Sequence, residues 1–379
     1  MSSDGFNIRD VLIVGSGAAG GAAAFHLAAA GHKVTLLERA SQPWVKPCGG
    51  GMAASVQQWF PFPLQPAVEE VIHRVEFSWY LKDPVIADLP GNAPFWIVRR
   101  ELLDQLLAER AVEAGAELLS GVEVIDIKRS HNLWQVSTQN GRQLEGRALV
   151  LADGSASPWP KRFGLGPKTA HYASTTSIRL EGRGRLSSGS ARFEFGLVRH
   201  GFAWAFPLAG NTNVGVGTFI GQRNATADAA LELLVAELGF SPNTGNRQEA
   251  SLRVWNGHHA LHGDGVVVVG DAASLCDPFL AEGLRPALMS GCNAADHLSS
   301  WLCGEQKSLN NYSQVMRKSW ANSMAWGRRI SQVFYRFPRL GYKLGIKRPT
   351  APQRIAQILS GEMDYEDIAE RAIRRLLVK

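Results

Sequence analysis

Residues Val11 to Arg39 read VLIVGSGAAGGAAAFHLAAAGHKVTLLER, and no other part of the chain indicates its fold as strongly. This stretch opens with four apolar residues, as a buried parallel strand does, and continues into Gly15-Ser-Gly17-Ala-Ala-Gly20 and an alanine-rich segment typical of a helix. In such a loop one glycine makes the tight turn, one lets the backbone approach a pyrophosphate, and one lets helix and strand pack closely. The sequence therefore predicts a dinucleotide-binding unit rather than a glycine-rich turn without a ligand.

Two further features of this unit predict where the ligand lies. Ala18 and Ala19 begin the helix, whose free N–H groups and positive dipole end suit phosphate groups. Glu38 and Arg39 stand at the tip of the second apolar strand, eighteen residues after Gly20. A carboxylate at that position accepts hydrogen bonds from an adenosine ribose. We therefore expect all four residues to bind the cofactor.

The composition is that of an ordinary globular protein. The chain has 379 residues, of which 45% are hydrophobic and 20% charged, which is enough for one large domain or two joined domains. Its first residues show no secretory leader, and no apolar run is long enough to predict a membrane-spanning helix. The four cysteines form no CxxC pair and no metal-ligand spacing with the histidines. These features predict a cytoplasmic protein in a reducing compartment, without a metal site.

The positive charge of the chain is unevenly placed. Residues 317–354 contain ten Lys or Arg, no Asp or Glu, and six aromatic residues. Such a segment suits peripheral contact with an anionic membrane, with aromatics in the interface, or docking of an acidic electron carrier. It equally suits a solvated helical face whose aromatics belong to the core. No recognition motif accompanies the charge, so nucleic acid is not an expected partner.

Three distant segments fit the opening motif. Arg100 stands at the start of a predicted amphipathic helix, and Asp153-Gly154 and Gly270-Asp271 each follow a predicted strand. Taken singly, Asp153 would be a turn residue and Asp271 a helix cap. Together, in this order, the segments resemble the FAD-dependent oxidoreductases of the aromatic-hydroxylase type. The resemblance implies that Arg100 reaches the cofactor, that Asp153-Gly154 lies near the pyrophosphate and that Asp271 binds the ribityl chain of FAD.

Three more stretches resemble the geranylgeranyl reductase family within this group. Residues 46–51, KPCGGG, are similar to that family's loop beside the isoalloxazine ring, which implies that Cys48, Gly49 and Gly50 face the flavin. Residues 202–207, FAWAFP, are similar to its aromatic-x-Trp-x-Phe-Pro motif, which contains Trp204 here. Residues 270–291, GDAASLCDPFLAEGLRPALMSG, are similar to its third flavin motif.

The third of these stretches departs from the family's pattern. Ala281 replaces the first glycine of the family's usual Gly-Glu-Gly, and Asp277 stands where Asn is more usual, with Arg285 just beyond. The resemblance still implies that Gly283 and Leu284 bind FAD. The added charge and methyl group near the ring are expected to change the flavin potential or the substrate.

The resemblance and the strand and helix patterns predict an α/β fold. A discontinuous Rossmann-type FAD-binding domain is expected from residues 1–60, 96–170 and 255–300, and a sheet-rich substrate domain from residues 61–95 and 171–254. Residues 301–379 are expected to form a helical, basic C-terminal part. Among single elements, the pattern predicts one continuous strand over residues 117–127.

The resemblance implies a flavin-dependent reduction of carbon–carbon double bonds in a prenyl group, carried by a lipid, a pigment or a diphosphate. NADPH or a ferredoxin would supply the electrons. Trp204 and Phe206 would wall an apolar pocket for the prenyl chain, and Trp79 or Trp96 is a further candidate. Cys48 is the first candidate for a proton donor or a modulator of flavin potential, and Cys276 the second. Alternatively, Cys48 merely fills a small space.

Other functions stay open on the same residues. An FAD-dependent monooxygenase or halogenase of an aromatic compound shares this fold, although the chain lacks the GxWxWxIP-type segment of halogenases. A cyclase would use FAD without net redox change, and an FAD-holding interaction protein would have no turnover. The absence of a second GxGxxG unit disfavours a disulfide reductase with two dinucleotide sites.

Overall fold

The computed structural model describes residues 8–91, 94–219, 226–241 and 244–370. The strands in these ranges are β1 (Arg9–Val14), β2 (Val34–Glu38), β3 (Gly51–Ala53), β4 (Val68–Ile72), β5 (Arg74–Trp79), β6 (Lys82–Asp88), β7 (Phe95–Val98), β8 (Glu117–Ser120), β9 (Val124–Ser130), β10 (Leu133–Thr138), β11 (Gln143–Leu151), β12 (His171–Glu181), β13 (Ser190–Phe195), β14 (Gly201–Leu208), β15 (Asn211–Thr218), β16 (Arg247–Val254), β17 (His262–Gly263) and β18 (Val266–Val268). The helices are α1 (Ala18–Ala29), α2 (Arg100–Glu113), α3 (Trp159–Arg162), α4 (Thr226–Glu237), α5 (Leu284–Leu302), α6 (Asn310–Met316), α7 (Asn322–Arg336), α8 (Pro338–Gly345) and α9 (Ala351–Ser360), and a π-helical turn (Arg317–Ala321) joins α6 to α7.

The first sheet has eight strands and a parallel centre. Its order is β17-β18-β11-β1-β2-β8, and the hairpin of β9 and β10 is attached to β11. β1 pairs in parallel with β2 and β11, β2 with β8, and β11 with β18. The residues of β1 from Val11 to Ile13 are fully buried, as a continuous apolar run predicts. The carboxyl ends of all these parallel strands therefore meet at one edge of the sheet.

Helix α1 packs very closely on its neighbours because of glycine. A Cβ on Gly20 would lie 1.9 Å from the carbonyl oxygen of Gly15, in the loop that follows β1. A Cβ on Gly291 of α5 would lie 2.3 Å from the carbonyl oxygen of Ala19. Both distances are far below van der Waals contact, so any larger residue would push α1 out of place.

The second sheet has seven strands in the order β16-β12-β15-β14-β13-β5-β6. Its central strand β14 alternates large and small side chains, so that Phe202, Trp204 and Phe206 share one face and Ala203 and Ala205 the other. The alanine face packs in a cluster with α4. The aromatic face lies in the core that both large sheets share. The predicted α/β class with a sheet-rich second part is thereby confirmed.

A small third sheet, β3-β7-β4, fixes the loop of residues 46–51. Gly51 pairs with Ile97, and the backbone N–H of Val98 donates to the carbonyl oxygen of Gly50 at 2.9 Å. Gly50 has a φ of +82°, and a Cβ there would lie 2.3 Å from the carbonyl oxygen of Val98. The loop thus depends on glycine to lie flat against β7.

The C-terminal helices are attached to the first sheet by buried aromatic side chains that donate hydrogen bonds. Their acceptors are backbone carbonyls of β18 and of the segment after it. The bonds run from Tyr312 Oη to Val268 at 2.8 Å, from Trp320 Nε1 to Leu275 at 2.8 Å and from Tyr335 Oη to Phe279 at 2.7 Å.

The sequence left two alternatives open for the aromatics of residues 317–354, a membrane interface or the core, and four of these side chains belong to the core. Trp320, Phe334, Tyr335 and Tyr342 are buried, because they pack on the second sheet or on the segment after β18. Trp326 is half-buried, whereas Phe337 is exposed.

One strand predicted from the sequence is interrupted in the structure. The strand predicted over residues 117–127 is divided into β8 and β9, because Gly121 turns the chain with a φ of +71°. Among the helices of the described ranges, none combines the length and the apolar character needed to cross a lipid bilayer.

Candidate functional site

The carboxyl ends of the parallel strands bring four distant segments together. Gly15 follows β1, Glu38 ends β2, Asp153 follows β11 and Gly270 follows β18. A cavity of about 720 Å³ opens at this edge, and its far wall is the aromatic face of the second sheet. In open α/β sheets, ligands bind in such a crevice.

Nearly all residues that the sequence predicts for the site line this cavity. Cys48 and Trp204 do so, and so do all the predicted cofactor-binding residues except Gly20 and Gly50, which pack against backbone nearby. The lining members are Gly15, Gly17, Ala18, Ala19, Glu38, Arg39, Gly49, Arg100, Asp153, Gly154, Gly270, Asp271, Gly283 and Leu284.

The glycine loop has the geometry of a phosphate cradle. Gly15 has a φ of +99°, and a Cβ there would lie 2.5 Å from the carbonyl oxygen of Ala152. Gly17 precedes α1 with an ordinary φ of −77°, so the N-terminus of the helix faces the cavity. The atom nearest to a Cβ on Gly17 would be Lys46 Nζ, at 3.1 Å. The space in front of Gly17 therefore borders on a cation and the positive end of a helix dipole.

Glu38 is buried and held by the backbone of two loops. Its carboxylate accepts hydrogen bonds from the N–H of Ser16 at 2.9 Å and from the N–H of Ala40 at 3.1 Å. Lys46 Nζ lies 3.8 Å from the same carboxylate. These bonds fix the orientation of the carboxylate beside the glycine loop, where a ribose of a dinucleotide would bind.

Arg100 is held rigidly by Asp104, a residue that the sequence analysis did not single out. Asp104 is fully buried one turn further along α2, and Arg100 Nη2 donates to its two oxygens at 3.1 and 2.9 Å. Burial opposes the charge of the guanidinium, but Asp104 and Cys48 outweigh it and raise the pKa of Arg100. The (i, i+4) spacing of an arginine and an aspartate at the start of an apolar helix was the available signal.

Two carboxyl groups on the cavity wall are buried without enough hydrogen bonds or positive charge to keep their pKa values in the ordinary range. Burial raises the pKa of Asp153 to about 6, and its Oδ1 has no hydrogen-bond partner among the described residues. Burial also raises the pKa of Asp271 to about 6, although Arg100 and Arg253 act in the opposite direction. Such carboxyls suit a ligand rich in hydroxyl groups. Together with the cradle at Gly17, they fit the ribityl and pyrophosphate parts of FAD.

The Cys48 loop is connected to Trp204 through Asn213, another residue absent from the sequence predictions. Asn213 Nδ2 donates to the carbonyl oxygen of Cys48 at 3.0 Å, and Asn213 Oδ1 accepts from Trp204 Nε1 at 3.2 Å. The N–H of Gly50 donates to Cys48 Sγ at 3.3 Å. A Cβ on Gly49 would lie 3.2 Å from the ring of Phe206, so the loop lies directly on the aromatic strand.

Beyond this loop the cavity wall is aromatic. Phe193, Phe202, Trp204 and Phe206 of the second sheet line it, together with Phe95 of β7. The two further tryptophans proposed from the sequence do not belong to this wall, which corrects that expectation.

Both tryptophans lie elsewhere because of strand geometry. Trp96 follows Phe95 in β7 and therefore lies on the opposite face, in a cluster with Met52 and Leu103. Trp79 packs at a tilt on Tyr342, with ring centroids 5.7 Å apart.

Glu282 is the main residue of the cavity that the sequence predictions left out. One oxygen, Oε2, accepts from Arg285 at 2.8 and 3.1 Å, whereas Oε1 is buried without a hydrogen-bond partner among the described residues. Burial raises the pKa of Glu282 to about 7, with Arg285 acting in the opposite direction. This carboxyl group therefore changes its protonation state near neutral pH.

Three neighbouring residues, Cys276 and Asp277 of the same loop and Arg285 of α5, do not line the cavity. Cys276 is fully buried and burial raises its pKa far above the ordinary value, so the structure removes it as a candidate proton donor. Asp277, the departure from the family's Asn, accepts from two backbone N–H groups of its own loop and from Tyr365 Oη at 2.7 Å. Without lining the cavity, Asp277 thus fixes the conformation of the loop, and Arg285 pairs with Glu282.

Comparisons with known proteins place the chain among flavoenzymes. The family model described as pyridine nucleotide-disulphide oxidoreductase matches residues 9–187. A digeranylgeranylglycerophospholipid reductase of Methanopyrus kandleri is 27% identical over 95% of this chain and 98% of its own. A menaquinone reductase of Mycobacterium tuberculosis is 28% identical over 77% of this chain and 76% of its own. A chloroplastic geranylgeranyl diphosphate reductase of Nicotiana tabacum is 30% identical over 77% and 66%.

Solved structures show the same fold. A geranylgeranyl bacteriochlorophyll reductase-like protein of Thermoplasma acidophilum has a TM-score of 0.79 at 20% identity, covering 87% of this chain and 88% of its own. A triple mutant of a flavin-dependent brominase has a TM-score of 0.76 at 20% identity, covering 98% and 100%. A halogenase mutant in complex with FAD has a TM-score of 0.70 at 16% identity, covering 87% and 76%.

The fold, the cavity and these comparisons define an FAD-dependent oxidoreductase. FAD is the cofactor of this class, and the cradle, the cations and the unpaired Asp153 oxygen fit it. Within the class, the chain is similar to relatives named as geranylgeranyl reductases.

Proposed function

We propose that this enzyme reduces carbon–carbon double bonds of a prenyl group of the geranylgeranyl type, carried by a lipid, a pigment or a diphosphate. The observation that carries the proposal is the division of one cavity into a charged end, around Gly17 and Arg100, and an aromatic end, around Trp204 and Phe206. The names of the relatives support it, since a geranylgeranyl diphosphate, a digeranylgeranyl phospholipid and a menaquinone all contain prenyl chains.

Saturation of one double bond needs a hydride on one carbon and a proton on its neighbour. The hydride would come from bound FAD in its reduced form, which would be oxidised in the same step. The residues of the chain bury the apolar substrate, exclude water and provide the proton. In our proposal, Trp204 and Phe206 hold the prenyl chain, while the Asn213 bridge keeps Trp204 and the Cys48 loop in a fixed relation.

Two groups of the cavity wall are candidates for the proton donor. The thiol of Cys48 lies in the loop that rests on the aromatic strand, next to Arg100. The carboxyl of Glu282 presents a buried oxygen without a partner and has a pKa of about 7. A group with that pKa can both give up a proton and regain it at neutral pH. We assign proton delivery to Glu282 and a role in positioning or flavin potential to Cys48.

The source of electrons and the place of reaction belong to the same proposal. NADPH or a reduced ferredoxin would regenerate the reduced cofactor. Because prenylated lipids and quinones reside in bilayers, we further propose that the enzyme works in the cytoplasm in peripheral contact with a membrane.

The test is anaerobic mixing of the reduced, FAD-loaded protein with a panel of prenyl lipids and diphosphates, followed by mass spectrometry. We expect a gain of two hydrogens for each double bond reduced, and no gain with oxidised protein. A product with an added hydroxyl or halogen, formed only with oxygen, would instead show a monooxygenase or halogenase. A product with an unchanged hydrogen count would show a cyclase, and unchanged substrates throughout would contradict the proposed reaction.

A further inference from the structure

The end of α7 and the short helix α8 carry an exposed apolar stripe. Its members are Val333, Phe337, Leu340 and Leu344, with exposed fractions of 67, 56, 53 and 48%. Leu340 and Leu344 lie one turn apart on one face of α8 and Phe337 precedes its first residue, whereas Val333 lies in the last turn of α7. Elsewhere in the described ranges, exposed large apolar side chains are scattered along the chain. A contiguous apolar patch on a protein surface usually marks a binding site.

A second stripe, of cations, runs beside the first. Arg329, Arg336, Arg339 and Lys343 are exposed on the same two helices. The segment that contains them has no acidic residue. Among the described residues, no carboxylate lies within ion-pair distance of Arg336, Arg339 or Lys343, whereas the neighbouring Lys347 is paired with Asp83 at 2.5 Å. The stripe therefore presents positive charge that the protein itself leaves uncompensated.

These two stripes decide between three kinds of occupant. A second copy of the chain would bring two cationic stripes together, which repel each other. An acidic protein would match the cations, but docking driven by charge uses polar contacts and needs no group of exposed apolar side chains. An anionic lipid surface matches both the apolar and the cationic stripe, since apolar side chains enter the acyl region while Arg and Lys reach the headgroups.

We propose that the face of α7 and α8 formed by Val333, Phe337, Leu340 and Leu344 and flanked by Arg336, Arg339 and Lys343 docks on anionic membranes. Behind this face, a series of contacts between aromatic rings reaches the cavity. Phe334 of α7 contacts Phe195 of β13, with ring centroids 5.3 Å apart, and Phe195 contacts Phe202 at 5.8 Å. Phe202 lines the cavity. Helix α7, which carries part of the docking face, thus packs on the second sheet, whose other aromatic residues would hold a prenyl chain. The docking itself does not depend on the proposed reaction.

The test measures sedimentation of the FAD-loaded, full-length protein with vesicles, in the absence of substrate. One set of vesicles contains only phosphatidylcholine, and the other equal parts of phosphatidylcholine and phosphatidylglycerol. We expect binding to the anionic set, weakening as salt is added, because salt screens the cations. Replacing three cations (Arg336→Gln, Arg339→Gln, Lys343→Gln) should weaken binding about 100-fold. The pair Leu340→Ser and Leu344→Ser should weaken it about tenfold.

Matched controls are Ile125→Ser and Arg142→Gln, which change exposed residues of the same types on the β9–β10–β11 region and should bind like the unchanged protein. An unchanged melting temperature and FAD content show that each variant is folded. Equal binding of stripe variants and controls would overturn the proposal, as would absence of vesicle binding. Salt-sensitive binding of an acidic ferredoxin without vesicle binding, or dimers that Leu340→Ser abolishes, would assign the face to those partners instead.

Discussion

At the scale of single residues, Glu282 has an environment that makes activity depend on pH. Around it lie Arg285, Asp277 and Asp364, and burial is the main reason why its pKa is about 7. A proton donor must carry its proton, so activity should fall as pH rises through about 7, where the carboxyl ionises. In Glu282→Gln this decline should disappear and turnover should fall about 100-fold.

The measurement is the pH profile of single-turnover reduction between pH 5 and 9, compared with Glu181→Gln at an exposed position at the end of β12. An identical decline in Glu282→Gln and in the unchanged protein would exclude Glu282 as the donor. The dissociation constant for FAD, measured in parallel, separates a proton-transfer defect from a loss of cofactor.

Cys48 provides a second prediction at this scale. Its thiol accepts the N–H of Gly50 and lies next to Arg100, so it shapes the electrostatic field at the cavity wall. We expect Cys48→Ala to keep a measurable turnover but to shift the reduction potential and the visible spectrum of the bound flavin. Cys303→Ala, at an exposed cysteine after α5, is the matched control. A Cys48→Ala protein with unchanged turnover and an unchanged spectrum would remove the residue from the mechanism.

At the scale of elements, Gly17 and Gly20 of the strand–loop–helix unit have different roles, one in cofactor binding and one in packing. A Cβ on Gly17 would meet the mobile end of Lys46 and the backbone conformation suits alanine, so Gly17→Ala should fold normally. It should nevertheless weaken FAD binding about tenfold or more, because the methyl group occupies the space of the pyrophosphate. In Gly20→Ala the methyl group would lie 1.9 Å from backbone, so this variant should fail to fold stably.

Thermal unfolding and fluorescence titration with FAD distinguish these two outcomes. The glycine assignment would be wrong if Gly17→Ala bound FAD with undiminished affinity, or if Gly20→Ala melted like the unchanged protein.

Elements also show where pattern reasoning succeeds and where it fails. In β14 large and small residues alternate, and this local pattern gives the strand one aromatic face, because a period of two depends only on backbone geometry. The choice between Phe95 and Trp96 in β7 could not be made, since all four residues of this strand are buried and either face is apolar. Asn213 could not be found from the sequence because its partner Cys48 lies 165 residues away, whereas the spacing of Asp104 from Arg100 was an available signal.

At the scale of the whole molecule, the C-terminal region supports the cavity from behind. Tyr365 donates to the fully buried Asp277, which in turn accepts the backbone N–H groups of Phe279 and Leu280. Burial already raises the pKa of Asp277, and the bond from Tyr365 opposes that rise. In Tyr365→Phe the carboxylate loses this donor without gaining water.

We expect Tyr365→Phe to lower the free energy of unfolding by about 1–3 kcal/mol and to loosen the loop that contains Glu282. Denaturant unfolding and hydrogen exchange of residues 277–283 measure the two effects. Tyr80→Phe, at an exposed position, should change neither. Equal stability of both variants would show that the C-terminal region does not brace the loop.

The sequence by itself determined the cofactor and the class of enzyme. The need for glycine at positions 15, 17 and 20 follows from the local strand–loop–helix pattern. The order of Arg100, Asp153 and Asp271 along the chain resembles one kind of flavoprotein. The environment that raises the pKa of Glu282, and the choice of aromatics that form the cavity wall, arise in the tertiary structure. That structure also showed that most aromatics of the basic segment are buried while a stripe on α7 and α8 is exposed. The physical reason is that pKa values, pocket walls and exposed faces depend on burial, which arises from contacts between segments far apart in the chain.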